Sequence, residues 1–139
     1  MAKGKIERKA YRDSNKAFLI KLSKQEDIHT LDERVLYRVI ESGDRKDIRR
    51  ATLSSVVLVR YRGRLVDGTV FDSTMESPFP EAMRLRELIV GWQIALQQMV
   101  VGDRWEIFIP YNVGYGDKGV DGIPAYSTLI FDIKLEGIN

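Results

Sequence analysis

The hydrophobic and polar positions of this chain alternate in several short runs, as they do in half-buried β-strands. The longest run, SVVLVRYRGRL over residues 55–65, is rich in β-branched residues and predicts a strand. Asp67-Gly68 follows and predicts a hairpin turn, from which residues 69–73 return as the partner strand. Shorter alternations predict further strands over residues 34–42, 85–89, 104–109 and 126–135. Prolines predict a loop over residues 77–80, and glycines a long exposed loop over residues 110–124.

Two other segments have the period of an α-helix. Residues 3–27 predict a helix at the start of the chain. Its apolar face carries Tyr11, Phe18 and Leu22. The second helix is short and opens at Trp92, which shares one face with Leu96 and Met99. Because a helix of about two turns is not stable alone in water, we expect the strands to wrap around it, with Trp92 at the bottom of the concave side.

Together these elements predict an α+β fold. A curled antiparallel β-sheet, or half-barrel, is expected to wrap around one short α-helix, and an N-terminal helix is expected to precede it. We divide the chain into an N-terminal helical extension, residues 1–33, and a main domain, residues 34–139.

Composition removes several classes of function. The 139 residues carry 22 basic and 20 acidic side chains, a net charge of +2, which argues against a general nucleic-acid binder. There is no cysteine, so no disulfide, thiolate metal site or cysteine nucleophile is possible. The single histidine, His29, lies in a polar stretch, and we interpret it as a solvated linker residue. No signal peptide or membrane-length apolar run is visible, so a cytoplasmic location without membrane attachment is expected.

The first helix has a basic excess that has two interpretations. Its basic side chains are Lys3, Lys5, Arg8, Lys9, Arg12 and Lys16, against the acidic Glu7 and Asp13. One interpretation is an arm that binds nucleic acid or a membrane. The other is a solvated helix that packs its aromatic stripe on the main domain or on a second subunit. We favour the second, because no aromatic interleaving accompanies the charge.

From about Val57 to its end, the chain resembles the FKBP-type peptidyl-prolyl isomerases, the macrolide-binding immunophilins. The resemblance rests on order and spacing across several runs. These are VRYRGRL at 59–65, DGTVFDS at 67–73, PF at 78–79, LIVGW at 88–92, MVVGD at 99–103, GYG at 114–116 and IP at 123–124 leading to STLIF at 127–131. The upstream residues are similar to the bacterial subgroup with an N-terminal helical extension. That extension makes a dimer in longer members, so we expect a monomer or a weak homodimer through the N-terminal helix.

This resemblance implies a half-barrel of five or six strands and a peptidyl-prolyl cis-trans isomerase (rotamase) activity that assists protein folding, a chaperone role. Proline-containing polypeptides are the implied partners, macrolides such as rapamycin are implied ligands, and no metal or cofactor is expected. The rim departs from the usual family pattern at Met83 and Arg84, and at Ala125, where proline is usual after Ile-Pro.

The resemblance also implies the site residues. Those expected to act on the substrate amide are Asp72, Tyr115, Ile89 and Tyr61. Those expected to line the substrate pocket are Phe71, Phe79, Leu88, Trp92, Ile123 and Phe131. The Ile89 N–H and the Tyr115 hydroxyl would fix the peptide, and Asp72 would orient a neighbouring hydroxyl such as that of Tyr61.

Each assignment has a structural alternative. The aromatic residues could simply form the core, and Tyr61 could be a buried tyrosine that satisfies its hydroxyl on Asp72. Asp72-Ser73 could be only a turn or cap, and Tyr115 could mark only a loop with special backbone angles. A different class of function also stays open: a non-catalytic peptide-binding module or holdase chaperone that uses the same apolar pocket.

Overall fold

The structure of the protein is a computed structural model that describes residues 2–139, with side chains described from residue 7 onward. The side chains of Lys3 and Lys5, part of the predicted basic excess, lie outside that part of the chain. The helices are α1 (Ala2–Leu22) and α2 (Val90–Leu96), with short 3-10 helices over Leu85–Glu87 and Tyr111–Val113. The strands are β1 (His29–Leu31), β2 (Val35–Glu41), β3 (Val56–Arg64), β4 (Val70–Ser73), β5 (Glu81–Arg84), β6 (Arg104–Ile109) and β7 (Leu129–Ile138).

These strands form one antiparallel sheet of seven strands. Their order is β1-β2-β6-β7-β3-β4, and β5 pairs with the first half of β3 while β4 pairs with the second half. The β3–β7 pairing is the longest and runs from Val57 opposite Ile138 to Arg64 opposite Ile130. The predicted α+β half-barrel is confirmed, with more strands than the five or six that the resemblance implied.

The core lies between the concave face of the sheet and α2. Alternate residues of β3, β6 and β7 point into it, as the period of a strand requires. From α2 and the turn that follows, Trp92, Leu96 and Met99 are buried against those strands. The predicted helix face is therefore confirmed. Tertiary packing, and not the length of α2, holds these seven residues helical.

Helix α1 packs on the opposite, convex face of the sheet. Phe18 and Leu22 contact Phe108 of β6 and Ile130 of β7, which are buried. This packing confirms that the stripe faces the main domain, although the helix ends at Leu22 and not at residue 27. Neither α1 nor any other helix in the described part of the chain is both long and apolar enough to cross a membrane.

The strand predicted over residues 85–89 is wrong. Leu85–Glu87 is a 3-10 helix, Leu88 and Ile89 are extended, and α2 begins at Val90, two residues before Trp92. The strand of this region is the more polar β5, which pairs Met83 with Val57 at the edge of the sheet. An edge strand need not be apolar, which is why the alternation was too weak to predict it.

The linker predicted around His29 is also wrong in part. His29 is exposed, but it belongs to β1 and packs its ring on Tyr37, with the ring centroids 5.3 Å apart. The turn from β1 to β2 places Asp32 and Glu33 at positive φ and lies across the predicted division between residues 33 and 34, which stays a prediction. The last strand begins at Leu129 and not at residue 126; Tyr126 adopts φ 66°, which excludes it from a strand.

Candidate active site

The floor of the concave side is Trp92, which α2 holds close to the sheet. Gly91 permits this approach, because a Cβ at that position would lie 2.6 Å from Ile109 Cγ2. The Trp92 ring meets the ring of Tyr61 edge-on at 5.0 Å and that of Phe131 at 5.2 Å between centroids. Such perpendicular pairs place a ring edge on a ring face, the arrangement that aromatic quadrupoles favour.

Phe71 from β4 extends this aromatic surface to one side. Its ring meets that of Phe131 at 5.5 Å and 90°. The two rings meet over Gly63 of β3, where a Cβ would lie 2.6 Å from atoms of both. Because Gly63 has no side chain, it leaves room for the two rings that form this wall of the site.

Tyr61 and Asp72 form the polar part of the same wall. The Tyr61 hydroxyl donates to Asp72 Oδ2 at 2.6 Å, and the carboxylate itself is exposed to solvent. Burial, then the hydrogen bond to Asp72, raises the pKa of Tyr61 well above its ordinary value. Burial, then the negative charge of Asp72, likewise raises the pKa of Tyr115. Both phenols therefore keep their protons at neutral pH and can act as donors.

A backbone donor lies opposite this pair, at the entrance to α2. Ile89 is the residue before the helix, with extended φ −58° and ψ 152°, and its carbonyl accepts from the N–H groups of Trp92 and Gln93. Its own N–H makes no hydrogen bond within the described residues. Across the site, Tyr115 is 36% exposed, and its hydroxyl likewise has no partner among them.

These groups enclose a cavity of about 200 Å³. Its lining consists of Tyr61, Phe71, Asp72, Met83, Glu87, Leu88, Ile89, Trp92, Tyr115 and Phe131. The cavity adjoins a groove of about 450 Å³, which shares Phe71, Asp72 and Tyr115 and continues to Ile123. A larger depression of about 630 Å³ lies on another side of α2, but glutamine, aliphatic and two charged side chains (Asp32 and Arg34) line it without an aromatic ring. The aromatic cavity is therefore the candidate site.

The structure brings all of the predicted site residues to this cavity except Phe79 and Ile123. Ile123 is buried and lines the neighbouring groove. Phe79 is 76% exposed in the segment between β4 and β5. The Arg60 guanidinium donates to the carbonyl oxygens of Ser77 and Pro78, which holds this segment on the side of β3 away from the cavity. The prediction of Phe79 as part of the pocket wall is not supported.

Sequence reasoning missed two lining residues, Met83 and Glu87. In the sequence Met83 stands out only as a departure from the family pattern, and Glu87 lies in a run that predicts a strand. Pairing of β5 with β3 turns Met83 inward, and the 3-10 helix carries Glu87 to the rim. The one available signal was the apolar Met83 next to the charged Arg84. Among the described residues, no three histidine, aspartate or glutamate side chains come together in a group that could hold a metal ion.

Comparison with known families gives one match that covers most of the chain. Residues 47–136 match the family described as FKBP-type peptidyl-prolyl cis-trans isomerase. The match includes every residue that lines the cavity and the groove, and it begins after α1 and β2.

Individual proteins with known sequences or structures agree with this match. The Macrophage infectivity potentiator of Trypanosoma cruzi is 43% identical over 122 residues, which are 87% of this chain and 61% of that protein. The FKBP-type 22 kDa peptidyl-prolyl cis-trans isomerase of Escherichia coli is 36% identical over 119 residues, 85% of this chain and 56% of that protein. This chain thus spans little more than half of the length of these relatives.

Solved structures show the same arrangement of elements. The crystal structure of FkpA from Escherichia coli superposes with a TM-score of 0.89 at 31% identity, over 99% of this chain and 63% of that one. A peptidyl-prolyl cis-trans isomerase from Pseudomonas syringae superposes with a TM-score of 0.85 at 29% identity, over 94% of this chain and 95% of that one.

Proposed function

This chain belongs to the FKBP-type peptidyl-prolyl cis-trans isomerase family, and we propose that it accelerates rotation about Xaa-Pro bonds of protein substrates in the cavity floored by Trp92. One observation carries the proposal. An aromatic cavity, formed on three sides by Trp92, Tyr61 and Phe131, faces a backbone N–H of Ile89 that has no partner within the described residues.

The chemistry of Xaa-Pro rotation suits these groups. The barrier of about 18–20 kcal/mol comes from lost amide resonance, and the uncatalysed reaction takes tens to hundreds of seconds. The twisted amide has less charge separation than the planar amide, so an apolar surrounding favours it over the ground state. Rotation breaks no bond and needs no base, nucleophile or metal. The cavity has only to bind the proline ring and to fix the peptide on either side.

The dimensions of the site suggest how a peptide would bind. A volume of about 200 Å³ is below the roughly 300–1,000 Å³ of drug-sized pockets, so it suits one ring and not a long segment. We place the proline ring on Trp92 and the preceding residues in the groove between Phe71 and Ile123. The Ile89 N–H would donate to a substrate carbonyl, and the Tyr115 hydroxyl would donate to the peptide from the opposite side of the cavity.

Within this arrangement Asp72 acts through Tyr61. Its carboxylate fixes the Tyr61 hydroxyl at 2.6 Å and keeps the ring edge-on to Trp92. It also places a negative charge near the amide during rotation. A change in the electrostatics of this pair should therefore alter the rate of rotation more than the binding of the peptide.

The test is NMR exchange spectroscopy on a short peptide with one Xaa-Pro bond. We expect the wild-type chain to accelerate cis-trans exchange, and Tyr61→Phe to lower kcat/KM about tenfold, the effect of one lost charge-assisted hydrogen bond. Tyr37→Phe is the matched control, because Tyr37 stacks on Trp105 and its hydroxyl makes no hydrogen bond within the described residues. A folded wild-type chain that binds the peptide without accelerating exchange would be a binding module or holdase, contrary to the proposal.

The partners and setting of the protein belong to the same proposal. Proline-containing segments of unfolded proteins are the proposed substrates, and macrolides such as rapamycin are proposed competitors for the cavity. The monomeric or weakly dimeric state and the cytoplasmic location stay predictions. One relative, from Legionella longbeachae, is named an outer membrane protein and is 37% identical over 140 residues. Fractionation of cells that carry the tagged protein tests the location directly.

A further inference from the structure

Helix α1 contacts the base of the long loop that carries Tyr115 and Ile123 of the groove. This loop, residues 110–128 between β6 and β7, presents Tyr115 and Ile123 to the site. We propose that Asn15 of α1 is a positioning residue for the reaction: it anchors the 110–128 loop and thereby sets where Tyr115 and Ile123 stand. The inference rests on the proposed function, and it concerns a helix outside the range that matches the family.

Asn15 provides the most buried of three connections between α1 and the loop. Its side chain is 3% exposed in a helix whose neighbouring positions are mostly solvated. Its Oδ1 accepts from the Thr128 backbone N–H at 2.7 Å, and its Nδ2 donates to the Tyr11 carbonyl at 2.8 Å. Both functional groups of the amide are thus used, one on the helix and one on the loop. A buried amide that is paired in this way fixes both partners.

A second connection joins α1 to the part of the loop that carries Ile123. The Ser127 hydroxyl donates to the Pro124 carbonyl at 2.7 Å. Since a serine hydroxyl has one proton, the contact of 2.8 Å between Tyr11 Oη and Ser127 Oγ has the tyrosine as its donor. The helix is therefore joined through Ser127 to the residue directly after Ile123.

A third connection joins α1 to the part of the loop that carries Tyr115. Tyr126 adopts φ 66°, a conformation that an aromatic residue keeps only when its surroundings hold it. Its N–H donates to the Gly116 carbonyl at 3.0 Å, and its ring meets that of Tyr111 edge-on at 4.9 Å. The Arg12 guanidinium of α1 lies 5.4 Å from the centre of the same ring. The helix thus supports the turn that fixes the backbone next to Tyr115.

These connections predict how loss of the Asn15 side chain would affect KM and kcat. Asn15 touches neither the cavity nor the groove, so its loss leaves the aromatic floor and the Tyr61–Asp72 pair unchanged. The loop would sample more positions, and the peptide would bind less well while the rate of rotation of the bound peptide stays the same. We therefore expect KM to rise and kcat to stay nearly constant.

The test uses the full chain and two measurements, backbone amide hydrogen exchange and peptide isomerisation kinetics. For Asn15→Ala we expect exchange at Thr128 and Tyr126 to become about tenfold faster, the effect of one hydrogen bond of ordinary strength. We expect KM to rise about threefold or more with kcat within about twofold. Tyr11→Phe removes one hydroxyl only and should change both measurements in the same direction, even if Asn15→Ala does not fold.

Two variants of α1 serve as controls. Ser14→Ala removes an exposed hydroxyl that bonds only within the helix. Leu22→Ala weakens the packing at the other end of α1, so it should lower stability without changing exchange at Thr128 or the KM. Unchanged loop exchange in folded Asn15→Ala and in Tyr11→Phe would overturn the proposal, as would a KM change equal to that of Leu22→Ala. A wild-type chain without isomerase activity would refute the proposed function, while loop exchange would still decide the anchoring.

Discussion

Gly91→Ala tests whether the close approach of α2 to the sheet is required for stability and for the site. A Cβ at residue 91 would lie 2.6, 2.7 and 2.8 Å from Cγ2, Cδ1 and Cγ1 of Ile109. Carbon atoms in contact prefer about 3.5–4.0 Å, so the helix and strand β6 would have to separate by about 1 Å. Ile109 is fully buried and β-branched, so it has little freedom to move aside.

Two effects of opposite sign decide the outcome. Alanine is favoured over glycine within a helix by about 1 kcal/mol. Overpacking of a filled core costs about 1–3 kcal/mol. Because the clash involves three side-chain atoms of a fully buried residue, we expect overpacking to win, with a net loss in the free energy of unfolding of about 1 kcal/mol or somewhat more. The displaced helix would also carry Trp92 and the Ile89 N–H out of place and lower kcat/KM.

The assay is urea denaturation followed by tryptophan fluorescence, with isomerase kinetics on the same samples. Ile109→Val removes the atom that would lie 2.7 Å from the new methyl group. The double variant should therefore be more stable than the sum of the single changes predicts. A Gly91→Ala chain that is more stable than wild type by about 1 kcal/mol would show that the contact with Ile109 imposes no cost, because helix propensity alone would then explain the result.

Three further predictions follow from named contacts. The fully buried Asp103 carboxylate accepts from two backbone N–H groups, so Asp103→Ala should lower the free energy of unfolding by about 2–5 kcal/mol in urea titrations. Because the folded state raises the pKa of Tyr61, unfolded chains lose that proton first above about pH 10, and stability should fall as pH rises, less steeply in Tyr61→Phe. Phe79→Ala should change stability by less than about 0.5 kcal/mol and leave peptide kcat/KM within about twofold, because the side chain is exposed outside the cavity.

Each of these predictions has a clear contrary result. An Asp103→Ala chain as stable as wild type would mean that the folded state does not need the hydrogen bonds from the Gly43 and Val100 N–H groups to this carboxylate. Equal alkaline slopes for wild type and Tyr61→Phe would mean that the phenol is no more buried than in the unfolded chain. A large loss of activity in Phe79→Ala would return this residue to the pocket wall.

The sequence was most informative where a regular hydrophobic periodicity ran over many residues and one face of the element was buried. The alternation of β3 and the spacing of Trp92, Leu96 and Met99 predicted both sides of the core, because burial on one face imposes that spacing on a strand or helix. From these two elements alone, the curled sheet and the helix within it could be inferred. The identity of the site residues came from the resemblance, since the spacing alone also fits an ordinary aromatic core.

Elements whose conformation depends on distant residues could not be predicted in this way. The apolar run before Trp92 looked extended, yet Val90 begins α2 because the sheet holds that helix in place. The β1–β2 turn uses Asp32 and Glu33 at φ 51° and 56°, without the Asn-Gly pair that usually marks such a turn. The resemblance assigns Phe79 to the pocket, and no local pattern reveals that the proline-bounded loop leaves this side chain exposed outside the cavity.

The most direct test of isomerase activity is the refolding of a protein whose rate is limited by a trans-to-cis proline step, measured with catalytic amounts of this chain. Refolding should become faster, and rapamycin should remove the acceleration by occupying the cavity floored by Trp92. A folded chain that leaves the refolding rate unchanged would exclude isomerase activity and would leave only peptide binding for this site.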